Sequence, residues 1–370
     1  GASGRLFMLL GVLPDSNKYK YWGNQTCAGD GLCSMSCPMH INTGELTHDI
    51  RQAELPKGSK GYQLGDFAAR HFAGIKNSLR PVLILADTAH AVMGTTLMTS
   101  LTRGIHQTLS IPLWTPAMPK AYRIRKQLRS RITAKPDKVV YFPSCINQTM
   151  GLVRKSPEEM ALVDKMVSLL QKGGFEVIVP DNMDKLCCGT IWESKGMMDI
   201  ADRKSKELEE ALWKASEEGR YPVLCDQSPC LHRMRETIRK MKLYEPAEFI
   251  YTFLRDRLVF TPTDEPVAIH ITCSMRRMGL ADTIINVAKL CSKNVFVPEE
   301  IGCCGFAGDR GFTHPEVNAY ALRKLRPQLE EKGIQRGYSN SRTCEIGLTT
   351  NSGVPYVSIA YLVDRCTRPK

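Results

Sequence analysis

Two Cys-Cys-Gly triplets repeat within matching frames of single cysteines. One cysteine precedes each triplet and another follows it, which gives four per frame: Cys145, Cys187, Cys188 and Cys230, then Cys273, Cys303, Cys304 and Cys344. Adjacent cysteines cannot pair with each other without strain, but both thiolates can face one metal centre. We therefore interpret these eight cysteines as metal ligands, with burial as apolar side chains as the alternative.

The spacing of the two frames indicates an internal duplication. The interval from the triplet to the last cysteine is 42 residues in the first frame and 40 in the second. The glycine after each pair is expected to let the backbone approach the metal closely, where a side chain would block it. The cysteines without a counterpart in this pattern are expected to be core residues: Cys225, Cys291 and Cys366.

A third group of cysteines lies near the N-terminus. It reads Cys27-Ala-Gly-Asp30-Gly-Leu-Cys33-Ser-Met-Ser-Cys37-Pro38, which keeps the ferredoxin spacing C-x₂-C-x₂-C-x₃-C-P except that Asp30 replaces the second cysteine. We predict an iron–sulfur site held by Cys27, Cys33 and Cys37. Three alternatives remain for the missing fourth ligand. Asp30 coordinates iron through its carboxylate, a distant cysteine supplies the ligand instead, or the cluster is labile or contains three irons. The Cys-Pro cysteine often ligates a different cluster, so Cys37 is expected to face the repeats.

Composition and charge narrow the class of protein. The 370 residues include 43% hydrophobic residues and 14 cysteines, which suits a folded protein with reduced thiols. Residues 1–15 lack the features of a signal peptide, and the apolar stretch 81–101 is interrupted by Asp87 and His90, which predicts helix and strand and not a membrane span. We expect a cytoplasmic location, with peripheral contact at the inner membrane as an alternative.

The formal net charge of +12 is expected to offset anionic clusters, with an acidic partner or an anionic membrane as the alternative. The most basic run, residues 120–138, holds eight Lys or Arg but one aromatic residue. This composition argues against nucleic-acid binding, which uses interleaved aromatic residues or a groove-reading motif.

Strands and helices alternate beyond residue 137. Apolar runs predict strands at 138–142, 175–179, 221–225, 267–271, 294–297 and 337–340. Helices are predicted at 157–172, 197–216, 280–290 and 315–331. This alternation favours βαβ units with parallel sheets. The single cysteines of both frames follow predicted strands, so they would gather at the carboxyl ends of the strands, where helix N-termini stabilise thiolates.

Four regions follow from these patterns. They are a ferredoxin-like module at 1–56, a largely helical connecting region at 57–136 and two repeats at 137–260 and 261–370. Within the connecting region, four prolines are expected to interrupt the helices: Pro81, Pro112, Pro116 and Pro119. The predicted fold class is α/β, with an N-terminal helical cluster module followed by two duplicated βαβ-type repeats.

The triplets resemble the cysteine-rich domain of heterodisulfide reductase, glycolate oxidase and lactate-utilisation iron–sulfur subunits. With the run at 27–38 and the following Asn42-Thr-Gly-Glu-Leu, nearly the whole chain is similar to the C-terminal part of the FAD-linked D-2-hydroxyacid dehydrogenases. The segments Glu299-Glu300-Ile-Gly-Cys-Cys-Gly-Phe-Ala-Gly-Asp and Ser339-Asn-Ser-Arg-Thr-Cys-Glu-Ile-Gly carry this resemblance most specifically.

The resemblance implies a division of labour in an oxidoreductase. A flavoprotein half would oxidise D-lactate or D-2-hydroxyglutarate, and this chain would carry electrons from reduced flavin to a quinone, cytochrome or other acceptor. The implied cofactors are a [4Fe–4S] cluster in this chain and FAD on a missing domain or subunit, with zinc as an alternative. The implied partners are that FAD-binding part and the acceptor, in an oligomer. The chain alone is not expected to oxidise substrate.

Both frames depart from the heterodisulfide reductase pattern, which ends in C-x-x-C. The first of those positions is Gln227 in one frame and Ser341 in the other. Four thiolates suit a [4Fe–4S] cluster or a tetrahedral zinc. A zinc-binding docking module and a heterodisulfide-reductase-like thiol redox subunit are the alternatives, and loss of C-x-x-C counts against the second. Histidines beside the cysteines are expected to be ordinary residues, with ligation less favoured: His40, His48 and His270.

Overall fold

Two four-stranded parallel sheets form the framework of the molecule. The computed structural model describes residues 20–109, 111–124 and 136–370. Its strands are β1 (Pro119–Ala121), β2 (Asp137–Phe142), β3 (Met150–Val153), β4 (Phe175–Ile178), β5 (Val223–Cys225), β6 (Leu243–Tyr244), β7 (Leu258–Phe260), β8 (Val267–Ile269), β9 (Val295–Phe296), β10 (Arg336–Tyr338), β11 (Tyr356–Val357) and β12 (Thr367–Pro369).

The two sheets have the same strand order. The first is β4-β2-β5-β6 and the second is β9-β8-β10-β11, so in each sheet the first strand in sequence lies between the second and the third. All pairings within these sheets are parallel. Two antiparallel pairs, β1 with β3 and β7 with β12, lie outside them. The equal topology confirms the duplication and the predicted α/β class.

Helices cover the sheets and make up the N-terminal region. Their bounds are Leu32–Ser36, Thr43–Glu54, Lys60–Arg70, Phe72–Leu109, Leu162–Lys172, Thr190–Glu193, Met198–Ala215, Ser228–Thr237, Pro246–Phe249, Cys273–Arg277, Ala281–Cys291, Arg310–Thr313, Pro315–Ala321, Leu325–Glu331, Arg342–Ser352 and Ile359–Cys366. Short π-helical and 3₁₀ segments are Lys20–Gln25, Ile250–Leu254 and Met183–Lys185.

One apolar core joins the two copies. It contains Val139 from the first sheet, Ile269 from the second and Tyr361 from the last helix. Two further cores lie on the outer sides of the sheets, and each contains cysteines of one frame. The copies are therefore packed against each other through one face, while their cysteines belong to separate cores.

Two predicted helices have different bounds in the structure. The helix expected from residue 157 begins at Leu162, and the hydroxyl of Tyr361 donates to the carbonyl of Met160 just before it. The helix expected at 315–331 is two helices, Pro315–Ala321 and Leu325–Glu331. Pro327 explains the break, because proline cannot donate to the carbonyl four residues earlier but fits the first turn of a new helix.

The connecting region is dominated by one helix, Phe72–Leu109, which corrects two expectations. Pro81 lies inside this helix and does not interrupt it; the break in helical geometry falls at Gly94, where φ is 75°. The stretch 81–101 is helical on both sides of Gly94 and contains no strand. In length and composition this helix would suffice to cross a membrane, and 11% of its most apolar window is buried. Most of the basic run at 120–138 lies outside the described residues.

Candidate metal centres

The four thiols of the first copy meet at one end of the first sheet. Cys187 contacts the thiols of Cys145 and Cys188, and Cys188 also contacts Cys230. Cys145 follows β2, and Cys230 lies in the first turn of the helix that follows β5. The sulfurs thus form a continuous chain across the carboxyl ends of two neighbouring parallel strands, as the sequence predicts.

The four thiols of the second copy meet in the equivalent place. Cys303 contacts Cys273 and Cys304, and Sγ of Cys304 lies 3.2 Å from Sγ of Cys344. Cys273 begins the helix that follows β8, and Cys344 lies in the first turn of the helix that follows β10. Each copy therefore brings together the four cysteines that the pattern singles out.

The glycine of each triplet is required by the fold. Gly189 has φ of 92° and Gly305 has φ of 72°, a conformation that costs other residues strain. A Cβ on Gly189 would lie 2.4 Å from the carbonyl oxygen of Ala201, and one on Gly305 would lie 2.9 Å from that of Val317. The backbone that approaches each glycine belongs to a later helix, Met198–Ala215 for Gly189 and Pro315–Ala321 for Gly305. The expectation that the glycine also lets the backbone approach a metal stays a prediction.

Side chains that the sequence reasoning missed hold the two triplets in place. The carbonyl of Cys188 accepts hydrogen bonds from Arg233 (3.1 Å) and Ser205 (2.8 Å). The carbonyl of Cys304 accepts one from the amide of Asn318 (2.5 Å). All of these residues are at least 13 positions from the triplets they hold, so the local pattern carries no signal for them.

The two copies differ in the ionisation of one thiol. In the first copy, hydrogen bonds from the thiols of Cys187 and Cys230 hold the pKa of Cys188 well below its usual range, whereas contacts with neighbouring thiols and burial raise the pKa values of Cys187 and Cys230. In the second copy, contacts with neighbouring thiols and burial raise the pKa values of Cys273, Cys303 and Cys304. Backbone amides also point at the second-copy sulfurs, from Gly305 to Cys303 (3.4 Å) and from Phe306 to Cys304 (3.5 Å). Such donors stabilise thiolates bound to metal.

The N-terminal cysteines lie on a loop and a short helix. Cys27 is buried, whereas Cys33 and Cys37 are partly exposed. Burial opposes ionisation of Cys33, but polar groups of Thr43 and Gly44 at the start of a helix lower its pKa. Sγ of Cys33 lies 3.5 Å from Oδ1 of Asn42. The expectation that Cys37 faces the repeats stays a prediction.

His48 lies over the loop that carries Cys27. Its Nε2 is buried without a hydrogen-bond partner, and a Cβ on Gly29 would lie 2.4 Å from it. Burial, followed by the charges of Arg51 and Arg310, lowers the pKa of His48. In the described part of the chain, His48 belongs to no group of three potential ligands whose donor atoms all lie within 4.8 Å of one another, so ligation by His48 stays less favoured. In His270, Nδ1 lies 3.0 Å from Ser339 Oγ, while Nε2, like that of His48, is buried without a hydrogen-bond partner.

The N-terminal module bridges the two copies on the side that carries the triplets. Arg51 donates to the carbonyl of Ser194, which follows the first triplet (2.8 Å). Arg310, which follows the second triplet, donates to the carbonyls of Gln25 (2.9 Å) and Ser194 (3.3 Å). All three cysteine groups are thereby gathered around one junction.

Asp30 lies against the second copy. Across residues 20–109, 111–124 and 136–370, the one group of three potential ligand side chains whose donor atoms all lie within 4.8 Å of one another is Asp30, Cys273 and Cys303. In this part of the chain, the sulfurs of Cys27, Cys33 and Cys37 do not meet that distance. The structure thus brings Asp30 closer to the second frame than sequence spacing suggests.

Lys76 lies beside the first copy. Its side chain is 3% exposed, and its ammonium donates to the amide oxygen of Gln148 (2.5 Å). Burial lowers the pKa of Lys76 to about 8, while the charges of Cys145 and Cys187 oppose that shift. The first frame is therefore faced by a buried amine, whereas the second is faced by a carboxylate.

Gln227 and Ser341, which replace the extra cysteine of each frame, meet at the junction of the copies. The amide of Gln227 donates to the hydroxyl of Ser341 (3.2 Å) and accepts from the backbone N–H of Arg342 (3.0 Å). Both side chains are buried. The side chains at these two positions are hydrogen-bonded to each other and connect the two copies.

The donor sets fit thiolate-bound metal. All 14 cysteines are free thiols, and eight of them form two equivalent four-membered groups. Cys225 is fully buried beside the first group, as expected of a core residue, and Cys291 and Cys366 contact each other. The grouping, partial burial and amide donors are consistent with an iron–sulfur cluster in each frame.

Comparison with known families agrees with this geometry. The model of a family described as "CCG: Cysteine-rich domain" matches residues 139–235 and 267–349. These two segments contain the two frames and the first three strands of each parallel sheet. The chain therefore contains two cysteine-rich domains of this kind, one per copy.

Among curated proteins, the chain is similar to lactate utilization protein A 1 of Bacillus mycoides (strain KBAB4). The two are 23% identical over 210 residues, which cover 51% of this chain and 84% of that protein. Among solved structures, it is similar to the aspartate racemase of Picrophilus torridus (7% identity, TM-score 0.31, 64% of this chain and 96% of that one). An aspartate racemase homologue of Pyrococcus horikoshii OT3 gives 11% identity and a TM-score of 0.24, covering 62% of this chain and 96% of that one.

Proposed function

We propose that this chain is an iron–sulfur electron-transfer protein that acts in the oxidation of lactate or a related 2-hydroxyacid. The observation that carries the proposal is the convergence of four thiols at equivalent places of two equivalent sheets. The similarity to a lactate utilization protein supports the metabolic setting. An iron–sulfur cluster held by these thiols supplies reversible one-electron storage.

The electron donor in this proposal is reduced FAD on a separate domain or subunit that oxidises D-lactate or D-2-hydroxyglutarate. The acceptor is a quinone or a cytochrome. The sequence resemblance to flavin-linked D-2-hydroxyacid dehydrogenases supports this assignment, and the placement of three cysteine groups around one junction suits stepwise transfer. The chain by itself is then not a dehydrogenase, and it works in a complex.

The exposed face of the helix Phe72–Leu109 supports a docked partner. Large apolar side chains stand in solvent along it, including Val82 (61% exposed), Leu85 (71%) and Val92 (82%). Contiguous apolar surface of this kind usually marks an interaction site. We propose that the flavin-bearing partner covers this face, because the same helix carries Lys76 beside the first copy.

The chain's own side chains set the electrostatics of this function. Thiolate-bound clusters carry negative charge, and basic residues nearby lower the cost of burying it. Lys76 is placed to do this for the first copy, and Arg310 for Cys27, whose charge acts on its guanidinium. These residues act on the redox potential through charge and do not react themselves.

Anaerobic purification followed by iron, acid-labile sulfide and zinc quantification tests this function. We expect iron and sulfide in similar amounts, a brown absorption near 400 nm, and bleaching on mixing with photoreduced FMN as the electron donor. Return of the colour on adding a soluble quinone should follow. Colourless protein that holds zinc without sulfide would contradict the proposal and favour the structural zinc module.

The partner surface is tested separately with Leu85→Asp and Val92→Asp. Both variants should leave the iron content unchanged, because the two side chains are exposed to solvent. Both should abolish co-purification with the flavin-bearing subunit. Flotation of the wild-type chain with anionic vesicles, lost in the same variants, would instead assign this face to a membrane.

A further inference from the structure

We propose that Asp30 is a ligand of the metal centre in the second copy, together with Cys273, Cys303, Cys304 and Cys344, and does not serve the N-terminal cysteines in whose motif it stands. This inference rests on the proposed function, since it requires the second copy to bind iron. It assigns to the second centre a donor from a segment more than 240 residues away in sequence.

The first support is the distance. A carboxylate oxygen of Asp30 and the sulfurs of Cys273 and Cys303 all lie within 4.8 Å of one another. Cys303 in turn contacts Cys304, which lies 3.2 Å from Cys344. Asp30 therefore extends the chain of four thiols by one oxygen donor at the Cys273 end.

The second support is the way in which the loop docks on the second copy. A Cβ on Gly31 would lie 3.1 Å from the side chain of Arg277, which is on the helix that Cys273 begins. Leu32 reaches the other side, since its Cδ1 lies 3.8 Å from the position of a Cβ on Gly302, next to Cys303. Gly31 and Leu32, which follow Asp30 in the chain, therefore contact the two segments that carry Cys273 and Cys303.

The third support is the orientation of the carboxylate. Its Oδ1 accepts a hydrogen bond from the backbone N–H of Leu32 (3.2 Å). A carboxylate has two oxygens and about four lone-pair sites, so this bond fixes the group and leaves acceptor capacity for a metal. Gly31 follows with φ of 71°, which turns the chain sharply after Asp30.

The fourth support is the chemistry of the group. The carboxylate of Asp30 and the thiols of Cys273 and Cys303 are all groups that bind a cation in their anionic form, and their donor atoms lie close enough together to share one. Carboxylate oxygen and thiolate sulfur are both established iron ligands in proteins.

The frame's own extra position cannot supply the additional donor. Ser341 stands there, and its hydroxyl is engaged by Gln227 of the other copy. Asp30 approaches from the opposite end of the thiol chain, at Cys273. The consequence is that metal binding in the second copy fixes the N-terminal loop, and with it Cys27, Cys33 and Cys37, against that copy.

The test compares iron release in matched variants of the full chain. Asp30→Asn keeps an oxygen that can accept from Leu32 but removes the charge, Asp30→Cys offers a thiolate instead, and Asp49→Asn is the control at an exposed aspartate of the next helix. With ferrozine as the chelator, we expect Asp30→Asn to release part of its iron about tenfold faster, because loss of a group at a metal site typically lowers metal affinity by about tenfold or more. Asp30→Cys should restore slow release, and Asp49→Asn should match the wild type.

A second set of variants identifies the centre involved. Asp30→Asn is combined with Cys303→Ser, Cys187→Ser or Cys27→Ser, one disruption for each cysteine group. The effect of Asp30→Asn should vanish in the Cys303→Ser background and persist in the other two, as expected when two changes share one site. Its loss only in the Cys27→Ser background would return Asp30 to the N-terminal group and overturn the inference.

These outcomes separate the inference from the proposed function. Wild-type protein that binds no iron after anaerobic reconstitution would contradict the function itself. Wild-type protein that binds iron, with release from Asp30→Asn at the wild-type rate, would overturn the role of Asp30 alone and leave the function standing.

Discussion

The two cysteine-rich copies share a parallel sheet with four thiols, and they differ in the charged side chain that lies beside those thiols. Each places four thiols at the ends of a parallel sheet with the same strand order. A buried amine, Lys76, lies beside the first group, whereas a carboxylate, Asp30, lies beside the second. Both side chains come from the N-terminal third of the chain. Duplication therefore supplied two equivalent donor sets, and the region before them makes the two sets unequal.

This difference has a direct electrostatic meaning. A positive charge beside a cluster stabilises its reduced form and raises its potential, while an added anionic ligand lowers it. The first copy should therefore hold the centre of higher potential. Electrons delivered to this chain would rest on the first copy in preference to the second.

The largest expected effect comes from breaking one frame at a time. Cys188→Ser and Cys304→Ser each remove a buried thiol in contact with a neighbouring ligand. Each should lose the iron of its own copy and keep that of the other, measured as iron per chain after anaerobic purification. The matched control is Cys291→Ser, a buried cysteine outside both frames, which should keep full iron. Loss of all iron from either variant would mean that the copies do not bind separately.

The next effect is on redox potential. Lys76→Met removes the buried charge while keeping the length of the side chain, and should lower the midpoint potential of the first-copy centre by tens of millivolts, where about 59 mV corresponds to a tenfold change for one electron. An electron paramagnetic resonance titration measures this shift. Lys76→Arg keeps the charge and should shift it less. A shift confined to the second-copy centre would contradict the assignment of Lys76 to the first.

The junction between the copies should give a pH-dependent stability through Glu245. Its carboxylate accepts from Ser228 of the first copy (3.0 Å) and from Asn340 of the second (2.6 Å). Burial raises the pKa of Glu245 to about 7 from an ordinary 4.5. The folded state therefore holds a proton that the unfolded state releases above about pH 4.5.

The contribution of Glu245 to the free energy of unfolding is fully present below its ordinary pKa of 4.5 and is lost as the pH rises to its folded-state pKa of about 7. At about 1.4 kcal/mol per pKa unit, the loss is up to about 3 kcal/mol in the free energy of unfolding. Melting temperatures between pH 5 and 8 should fall more steeply for the wild type than for Glu245→Gln. Glu210→Gln, at an exposed position, should follow the wild type. Parallel profiles for all three proteins would refute the role of Glu245.

The smallest effect is expected at the pair that replaces the extra cysteines. Gln227→Ala leaves the buried N–H of Arg342 without its 3.0 Å partner, which should cost about 1–3 kcal/mol of unfolding free energy. Urea unfolding monitored by circular dichroism measures this loss. Gln107→Ala, at an exposed position of the long helix, should change the free energy by much less. Equal losses in both variants would mean that the pair does not join the copies.

Much of this architecture can be read from the sequence because its signals are local. Strands such as β2 and β5 are short apolar runs, and the cysteines after them fall at the sheet edge by topology alone. The helix break before Pro327 could be predicted, because proline lacks the N–H that a continuous helix needs. The continuous helix at Pro81 could not be predicted from the same rule. It is tolerated there because the carbonyl left without a donor lies on an exposed helix and can bind water.

The parts that escaped prediction depend on how distant segments dock. The spacing of the ferredoxin-like run assigns Asp30 to its own cysteines, and nothing in that run indicates that it faces Cys273. The pairing of Gln227 with Ser341 requires both copies to be placed first. Lys76 is one lysine on an apolar helix, and its burial next to a thiol group appears only once that helix packs on the first copy.

The most direct test is the electron paramagnetic resonance spectrum of the anaerobic, dithionite-reduced wild-type chain, recorded with those of Cys188→Ser and Cys304→Ser. We predict iron–sulfur signals in the wild type, one component of which disappears in each variant while the other remains. A wild-type sample without such a signal, or variants whose spectra both match the wild type, would contradict the claim that the two frames hold redox-active metal.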